Sequence, residues 1–474
     1  MTSITFFLIS HHHGRGQPKK KKDVLTSSIR DTVRTELIFL PAASENRKIP
    51  GTRTRLSPAG VRRTGRWKIP DTGEKNMNWN EALAACAREC DSFYLYSEAG
   101  LRRRGEALKK AFPGAEILYS IKCNPHPRIL KIMAELGLGF DAAGAGEVER
   151  ALNEGADPSH IYYSAPGKSR EDIAAAIGRC VITADSMNEV SLLREAAEGP
   201  DIGLRVNPSF SFDGGPGLPS KFGIDEEEAL GAIRRGAFVG VRIAGLHVHL
   251  KSQELDAGKI AAYWSRVLGM AGRFRDALGK LDFVNLGSCI GLSGTGEAPL
   301  DLKDLSGAFE KAAEKFHGVS PETSILLESG RWIAGPNGVY ASRVADRKVS
   351  RGKTYIILKS TLGGFMRPCL VPFALRCSGG AEPAGQEPLF TSSRAFPLYT
   401  LKNGPAEEKV TIAGSLCTAS DIIAEDIPMP RLERGDLVII GCAGAYGATL
   451  SPSGFSSLPR AGEFFLTCGG ELRR

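Results

Sequence analysis

The chain has 474 residues, 42% hydrophobic and 24% charged, which is ordinary for a soluble globular enzyme and long enough for a large domain plus a second one. No stretch approaches the roughly 18 apolar residues of a membrane helix, and the apolar run 6–9 is too short for a signal sequence and has no basic residues before it. The net charge of +8 is uneven: residues 1–76 hold 16 Lys and Arg against 6 Asp and Glu, and the remainder is close to neutral, so the basic balance does not describe a nucleic-acid face on the body.

Residues 1–76 lack sustained periodicity. They contain His11-His12-His13 and the lysine run 19–22, and they read as a disordered, solvated leader; translation starting at Met77 is the alternative. A helical pattern of Trp79, Ala82, Leu83 and Cys86 follows directly. From residue 117 short β-rich runs alternate with amphipathic stretches. The expected strands are 117–122, 139–143, 161–165, 181–185, 202–207, 243–250, 283–287 and 324–329, with helical patterns at 127–136, 147–154, 170–177, 187–197, 226–234 and 260–278. Eight such repeats predict a closed, parallel (β/α)8 barrel of the TIM type over residues 98–337. After residue 338 helical signal is weak. Runs at 344–349, 354–358, 409–413, 437–440 and 463–467 predict a mainly β domain formed by 77–97 together with 338–474, with 93–96 pairing into it.

The ten cysteines, at 86, 90, 123, 180, 289, 369, 377, 417, 442 and 468, form no CxxC pair and no Cys/His cluster of zinc spacing. They read as reduced thiols of a cytoplasmic protein, with no metal site expected.

Functional residues of a β/α barrel gather at the C-terminal ends of its strands. In order these ends are Lys122, Asp141, Ser164, Asp185, Arg205, His249, Gly287 and Glu328, more polar and charged residues than a purely structural barrel needs. Lys122 ends an apolar strand and is followed by Cys123-Asn124-Pro125. A lysine there can snorkel to solvent, or, desolvated, can form a Schiff base with a carbonyl compound.

The segment Tyr119-Ser120-Ile121-Lys122-Cys123-Asn124 resembles the Tyr-x-x-Lys-x-Asn motif of the fold-type III pyridoxal-phosphate enzymes, which include alanine racemase and the ornithine, arginine and diaminopimelate decarboxylases. The resemblance runs from about residue 93 to about 465. It continues through Phe140-Asp141, Gly146-Glu147, Gly167-Lys168, Ser220-Lys221-Phe222-Gly223, Gly245-Leu246-His247-Val248-His249 and Ser252-Gln253. It ends on Glu328 with Gly330-Arg331, Cys417, Asp421 and Gly444-Ala445-Tyr446-Gly447. It implies pyridoxal 5′-phosphate as cofactor, bound by Lys122, Asp141, Arg205, His249, Ser252, Gly287, Glu328, Gly330, Arg331 and Tyr446. Lys122 would carry the cofactor as a Schiff base, His249 would stack on the ring, and Glu328 would keep the ring nitrogen protonated. Ser252, Gly287, Arg331 and Tyr446 would hold the phosphate. Cys417 would come from the partner subunit of a homodimer with shared sites and deliver a proton to Cα. No membrane or nucleic-acid partner is implied.

A carboxylate at the ring nitrogen points to an amino-acid decarboxylase of the diaminopimelate-decarboxylase type. A racemase or epimerase on the same barrel and a catalytically silent regulatory relative are the alternatives. Several positions depart from the family. Gly287-Ser288-Cys289 stands for a triple glycine, and Lys251 stands for a glycine and adds a cation near the phosphate or substrate. Thr418 stands where decarboxylases of basic amino acids carry Asp or Glu for the substrate's distal ammonium. Arg367 resembles the arginine that grips the distal carboxylate of diaminopimelate; as a plain residue it reads as a surface arginine at a strand end. The substrate expected is therefore not a simple basic amino acid.

Overall fold

A computed structural model describes residues 78–474 apart from 288, 295–296, 378–394 and 403. The expected leader and Ser288 lie outside the described residues. Helix α1 (Trp79–Glu89) opens on Asn78, whose side chain accepts the Glu81 N–H while the Glu81 carboxylate accepts the Asn78 N–H, a closed capping box. Its apolar face is Trp79, Ala82, Leu83 and Cys86, all buried against Phe93, Leu95, Val339, Ile439 and Phe464.

Strand β1 (Ser92–Ser97) runs from there into the second sheet, and β2 (Ala115–Ser120) begins the barrel. The remaining barrel strands are β3 (Gly139–Ala142), β4 (Ile161–Tyr163), β5 (Val181–Ala184), β6 (Asp201–Asn207) with its two-residue neighbour β7 (Ile224–Asp225), β8 (Arg242–His247), β9 (Phe283–Asn285) and β10 (Ser324–Ser329). Their order is β5-β4-β3-β2-β10-β9-β8-β6, and β5 pairs with β6 to close the ring; every pairing is parallel. Parallel strands buried on both faces read as continuous apolar runs. That is why each was legible. Inside the barrel Leu118, Tyr162, Ala244, Phe283 and Leu326 pack as a cluster of their own.

The outer helices include two that the periodicity did not single out, Glu98–Ala111 and Leu302–His317. In the first, five Arg and Lys residues crowd the segment and only Gly100, Leu101, Gly105 and Leu108 are buried, so the apolar stripe is thin.

The second sheet is built from β11 (Gly338–Ser350), β12 (Lys353–Leu358), β13 (Leu398–Thr400), β14 (Glu408–Gly414), β15 (Ile422–Met429), β16 (Leu437–Ile440), β17 (Gly462–Leu466) and β18 (Leu472–Arg473). Strand β1 sits between β11, antiparallel, and β17, parallel. The helix Met366–Cys377 departs from the expectation of weak helicity beyond residue 338. Pro368 is tolerated in its first turn, but the internal Pro372 hid the helix in the sequence. Among the described residues no helix is long and apolar enough to cross a membrane.

The cap and the apolar face of α1 should contribute measurably to the second sheet. Leu83→Ala removes a fully buried side chain and should cost about 2–5 kcal/mol, read as a lower urea midpoint. An unchanged midpoint would mean that α1 does not stabilise the sheet.

Candidate active site

At the C-terminal end of β2 the chain turns through a single 3-10 turn, Ile121–Cys123, which lifts Lys122 off the strand. Its side chain is 42% exposed while its partner Asp141 is sealed; Lys122 Nζ lies 2.5 Å from Asp141 Oδ2. The other carboxylate oxygen of Asp141 accepts from Ser164 Oγ at 2.9 Å. Burial opposes the Lys122 charge, but Asp141 and Glu328 outweigh it and hold the ammonium above its ordinary pKa.

Glu328, near the end of β10, is buried. Its Oε1 accepts from Asn285 Nδ2 at 2.9 Å and lies 3.1 Å from His247 Nε2, whereas Oε2 is 3.9 Å from His249 Nδ1. Burial would raise the pKa of this carboxyl, but the neighbouring His247, Lys122 and His249 reverse that and hold it below the usual range. His249 contacts Ser252 Oγ through Nε2 at 3.1 Å. Desolvation, with Lys122 and Arg205 nearby, overrides Glu328 and lowers its pKa to about 4. The imidazole is therefore neutral at neutral pH.

Gly287 follows β9 with φ 64°, and a Cβ there would lie 2.4 Å from His249 Nδ1, so only glycine lets this turn pass under the histidine. Its own N–H is donated to Asn285 Oδ1 at 2.9 Å. That N–H is thus engaged within the protein. Cys289, next in the described chain, is buried with φ 66°, and burial pushes its thiol pKa up.

Arg331 begins the short helix Arg331–Ala334, its guanidinium 5.0 Å from the centre of the Tyr446 ring and without a hydrogen-bond partner among the described residues. Burial lowers its pKa. Gly330 packs on Cys123, where a Cβ would meet Sγ at 2.9 Å. Tyr446 is tied to the lysine turn by its N–H, which donates to Cys123 O at 2.6 Å; Asn124 Nδ2 donates to Gly444 O at 2.9 Å. The second sheet thus clasps the lysine turn directly.

Two expectations are corrected. Arg367 is not a surface residue at a strand end. It lies in the helix Met366–Cys377 and is 2% exposed, with one donated bond to Ala445 O at 3.1 Å and its guanidinium over Phe396 and Tyr446. Its Nε has no partner, and burial followed by repulsion from Arg331 lowers its pKa to about 9. Lys251 adds no free cation, because its Nζ pairs with Glu254 Oε2 at 2.8 Å over the Phe212 ring. Arg205 is also engaged: it donates to Ser164 O at 3.2 Å, stands 3.5 Å from Asp185 and covers Phe222.

Cys417 and Thr418 make no hydrogen bond with these residues. They occupy the loop between β14 and β15; Cys417 is exposed, and Thr418 Oγ1 bonds Ser420 Oγ at 2.9 Å and accepts from Ser420 N–H at 3.4 Å. Asp421 builds that loop, accepting from Thr361 Oγ1, Leu362 N and Leu416 N.

Asn285 and His247 are site residues that the sequence reading did not single out. The signal was present: Asn285 is a polar end to the apolar run Phe283-Val284, and His247 and His249 alternate along one strand, so they share a face. Lys168 and Glu189 form a buried pair at 3.0 Å that pins the turn after β4 to the end of β5, since Glu189 also accepts from Gly167, Lys168 and Asp185 N–H groups. Gln253, Cys289, Cys442 and Tyr446 all have positive φ without being glycine. Strain of this kind costs about 1–3 kcal/mol per residue and concentrates at functional sites. Among the described residues no group of three or more His, Cys, Asp or Glu could hold a metal ion.

Residues 98–335 match the family model described as pyridoxal-dependent decarboxylase, pyridoxal binding domain. The chain is 30% identical over 381 residues to diaminopimelate decarboxylase of Deinococcus radiodurans, covering 79% of this chain and 89% of that protein. It is 28% identical over 401 residues to the L-glutamyl-[BtrI acyl-carrier protein] decarboxylase of Niallia circulans, covering 81% and 90%. The crystal structure of diaminopimelate decarboxylase from Helicobacter pylori complexed with L-lysine superposes with a TM-score of 0.70 at 26% identity, over 84% of this chain and 95% of that one.

The burial of His249 sets a pH dependence. Its folded pKa of about 4 lies below the ordinary value of 6.5, so between those values the unfolded chain binds a proton that the folded chain does not. Its contribution to stability is then constant above about pH 6.5 and declines as the pH falls toward 4. NMR titration of the His249 ring should give a midpoint near 4; a midpoint at or above 6 would contradict the neutral assignment.

Proposed function

Because this chain belongs to the pyridoxal-dependent decarboxylases, we propose that it decarboxylates an amino acid whose distal end is acidic, neutral or conjugated, and not a free ammonium. The enzyme class and the cofactor, pyridoxal phosphate, follow from the family. The substrate and the residue roles are the proposal.

The residues present fit the cofactor. Lys122 offers an amine that is reachable from the barrel mouth beside the sealed Asp141. The Arg331 guanidinium has no carboxylate partner among the described residues, and the Gly287 turn leaves room for His249 where a Cβ would not. Lys122 would hold the cofactor covalently, and Asp141 Oδ2 is placed to keep or take the proton that the amine must lose. His249, neutral, would lie against the ring without adding charge. Glu328 would keep the ring nitrogen protonated, and Ser252, Arg331 and Tyr446 would take the phosphate. When bound, the cofactor acts as an electron sink for the carbanion left by departing CO2. Cys417 is exposed on the loop between β14 and β15, which is in keeping with a twofold dimer in which Cys417 of the partner subunit would supply the proton to Cα.

The observation that carries the reading is the meeting of Lys122, Asp141, Glu328 and His249 at one end of the barrel. Lys122→Ala should abolish the visible absorbance of bound cofactor and the borohydride-trapped adduct. Mixing inactive Lys122→Ala and Cys417→Ala chains should restore part of the activity. Heterodimers that form yet stay inactive would refute the shared site.

The substrate proposal rests on charge. A buried ammonium needs a carboxylate partner, and its loss costs about 3–5 kcal/mol. Thr418 offers a hydroxyl already bonded to Ser420, and Arg367 presents a buried cation with an unpartnered Nε. The Niallia circulans relative, named for a glutamyl group carried on a protein, is in keeping with a conjugated substrate. In a screen of CO2 release, lysine and ornithine should be turned over at least tenfold more slowly than substrates with a distal carboxylate, amide or ester. Efficient turnover of either diamine would overturn the inference from Thr418.

A further inference from the structure

Asn285 makes two hydrogen bonds in opposite directions from one buried amide. Its Nδ2 donates to Glu328 Oε1 and its Oδ1 accepts from Gly287 N–H, both at 2.9 Å, and the residue is 1% exposed. The two partners fix which end of the amide is which, because a backbone N–H can only donate and an ionised carboxylate can only accept. In the proposed reading, the segments that this amide joins would serve the two ends of the cofactor: Glu328 on β10, and the turn that begins at Gly287 after β9.

The same contacts distinguish the two carboxylate oxygens. Oε1 is held by Asn285 and has His247 Nε2 3.1 Å away, although that ring nitrogen makes no aligned hydrogen bond. Oε2 accepts no hydrogen bond from the described residues; His249 Nδ1 lies 3.9 Å from it. We propose that Asn285 is a positioning residue that locks Glu328 with Oε2 directed to the cofactor's ring nitrogen and, through Gly287, couples that orientation to the turn expected at the phosphate. The inference rests on the reading that Glu328 serves the ring nitrogen.

The physical argument is one of freedom. A glutamate has three side-chain torsions, and a carboxylate that must meet a ring nitrogen loses energy with every rotamer that points elsewhere. A donated bond to one oxygen removes those rotamers before the cofactor arrives. It also leaves the second oxygen as the acceptor that must be satisfied from outside. His247 Nε2 lies 3.1 Å from the same oxygen but is less well aligned than the Asn285 amide.

The test compares binding of pyridoxal phosphate with binding of its 1-deaza analogue, in which C–H replaces the ring nitrogen, to the otherwise unaltered apoenzyme. Affinities are measured by fluorescence quenching, so the readout is not activity. The wild-type protein should prefer pyridoxal phosphate, and Glu328→Gln should lose most of that preference. Asn285→Ala should shrink the preference by about tenfold, the worth of a hydrogen bond to a charged group, and should also weaken the deaza analogue because the Gly287 turn loses its anchor. Asn285→Ser, which is shorter but still polar, should behave alike if the alanine variant fails to fold.

If the Asn285 variants weaken both ligands equally and keep the wild-type preference, Asn285 is only structural and the proposal is overturned. If Glu328→Gln itself keeps the preference, the failure lies with the assignment of Glu328 and not with Asn285. The two failures are therefore separable.

Discussion

The site is governed by one constraint: an ammonium and two carboxylates share a barrel mouth with little water around the acids. Lys122 lies against Asp141, Glu328 acts on the same lysine from the adjacent strand β10, and both carboxylates are almost fully buried. Isolated charges in such a place would neutralise. Each is kept by specific partners: Ser164 for Asp141, Asn285 for Glu328, and the lysine for both. A closed barrel suits this task because strands locked on both sides cannot drift to relax an unfavourable charge. The price is that partners must be buried as well, which is why polar residues such as Asn285 and His247 sit at the ends of otherwise apolar strands.

The second sheet depends on the same constraint through the lysine turn. Cys123 O and Asn124 Nδ2 are both bonded to the segment Gly444–Tyr446, and Gly330 packs on Cys123 from the other side. The turn that presents Lys122 is thus held by both domains. Strand β1 makes that arrangement robust, since it precedes the barrel in the chain yet lies between β11 and β17 in the second sheet. The positive φ of Tyr446 is the local cost of bringing its N–H to Cys123 while its ring lies under Arg331.

What the sequence made legible was governed by periodicity and by strand ends. Eight parallel strands produce eight apolar runs, and the charged residues that close several of them mark the barrel mouth: Lys122, Asp141 and Glu328 were visible on that basis. Side chains that act by pairing were not. Lys251 read as a free cation because nothing in the sequence shows that Glu254, three residues on, folds back onto it. The surface alternative for Arg367 failed because Pro368 and Pro372 suppress the helical signal of a segment that is nonetheless helical. Gly287 owed its phosphate role to the resemblance, and that its N–H donates to Asn285, two positions earlier, is a local turn that composition does not reveal. The barrel could be read from single residues; the electrostatics needed pairs.

Charge balance carries the specificity argument one step further. Arg331 and Arg367 both lie near the Tyr446 ring, and burial, followed by repulsion from Arg331, depresses the pKa of Arg367. Two guanidinium groups near one aromatic ring, with no carboxylate partner among the described residues, are an arrangement that bound anions would stabilise. In the proposed reading the cofactor phosphate would be one of them. The backbone bond from Arg367 to Ala445 does not neutralise its charge, so the distal group of the proposed substrate would be the other. A substrate bringing a second ammonium would add a third cation where two already repel. A distal carboxylate or a polar carbonyl would relieve that repulsion, and the uncharged Thr418 would leave it undisturbed.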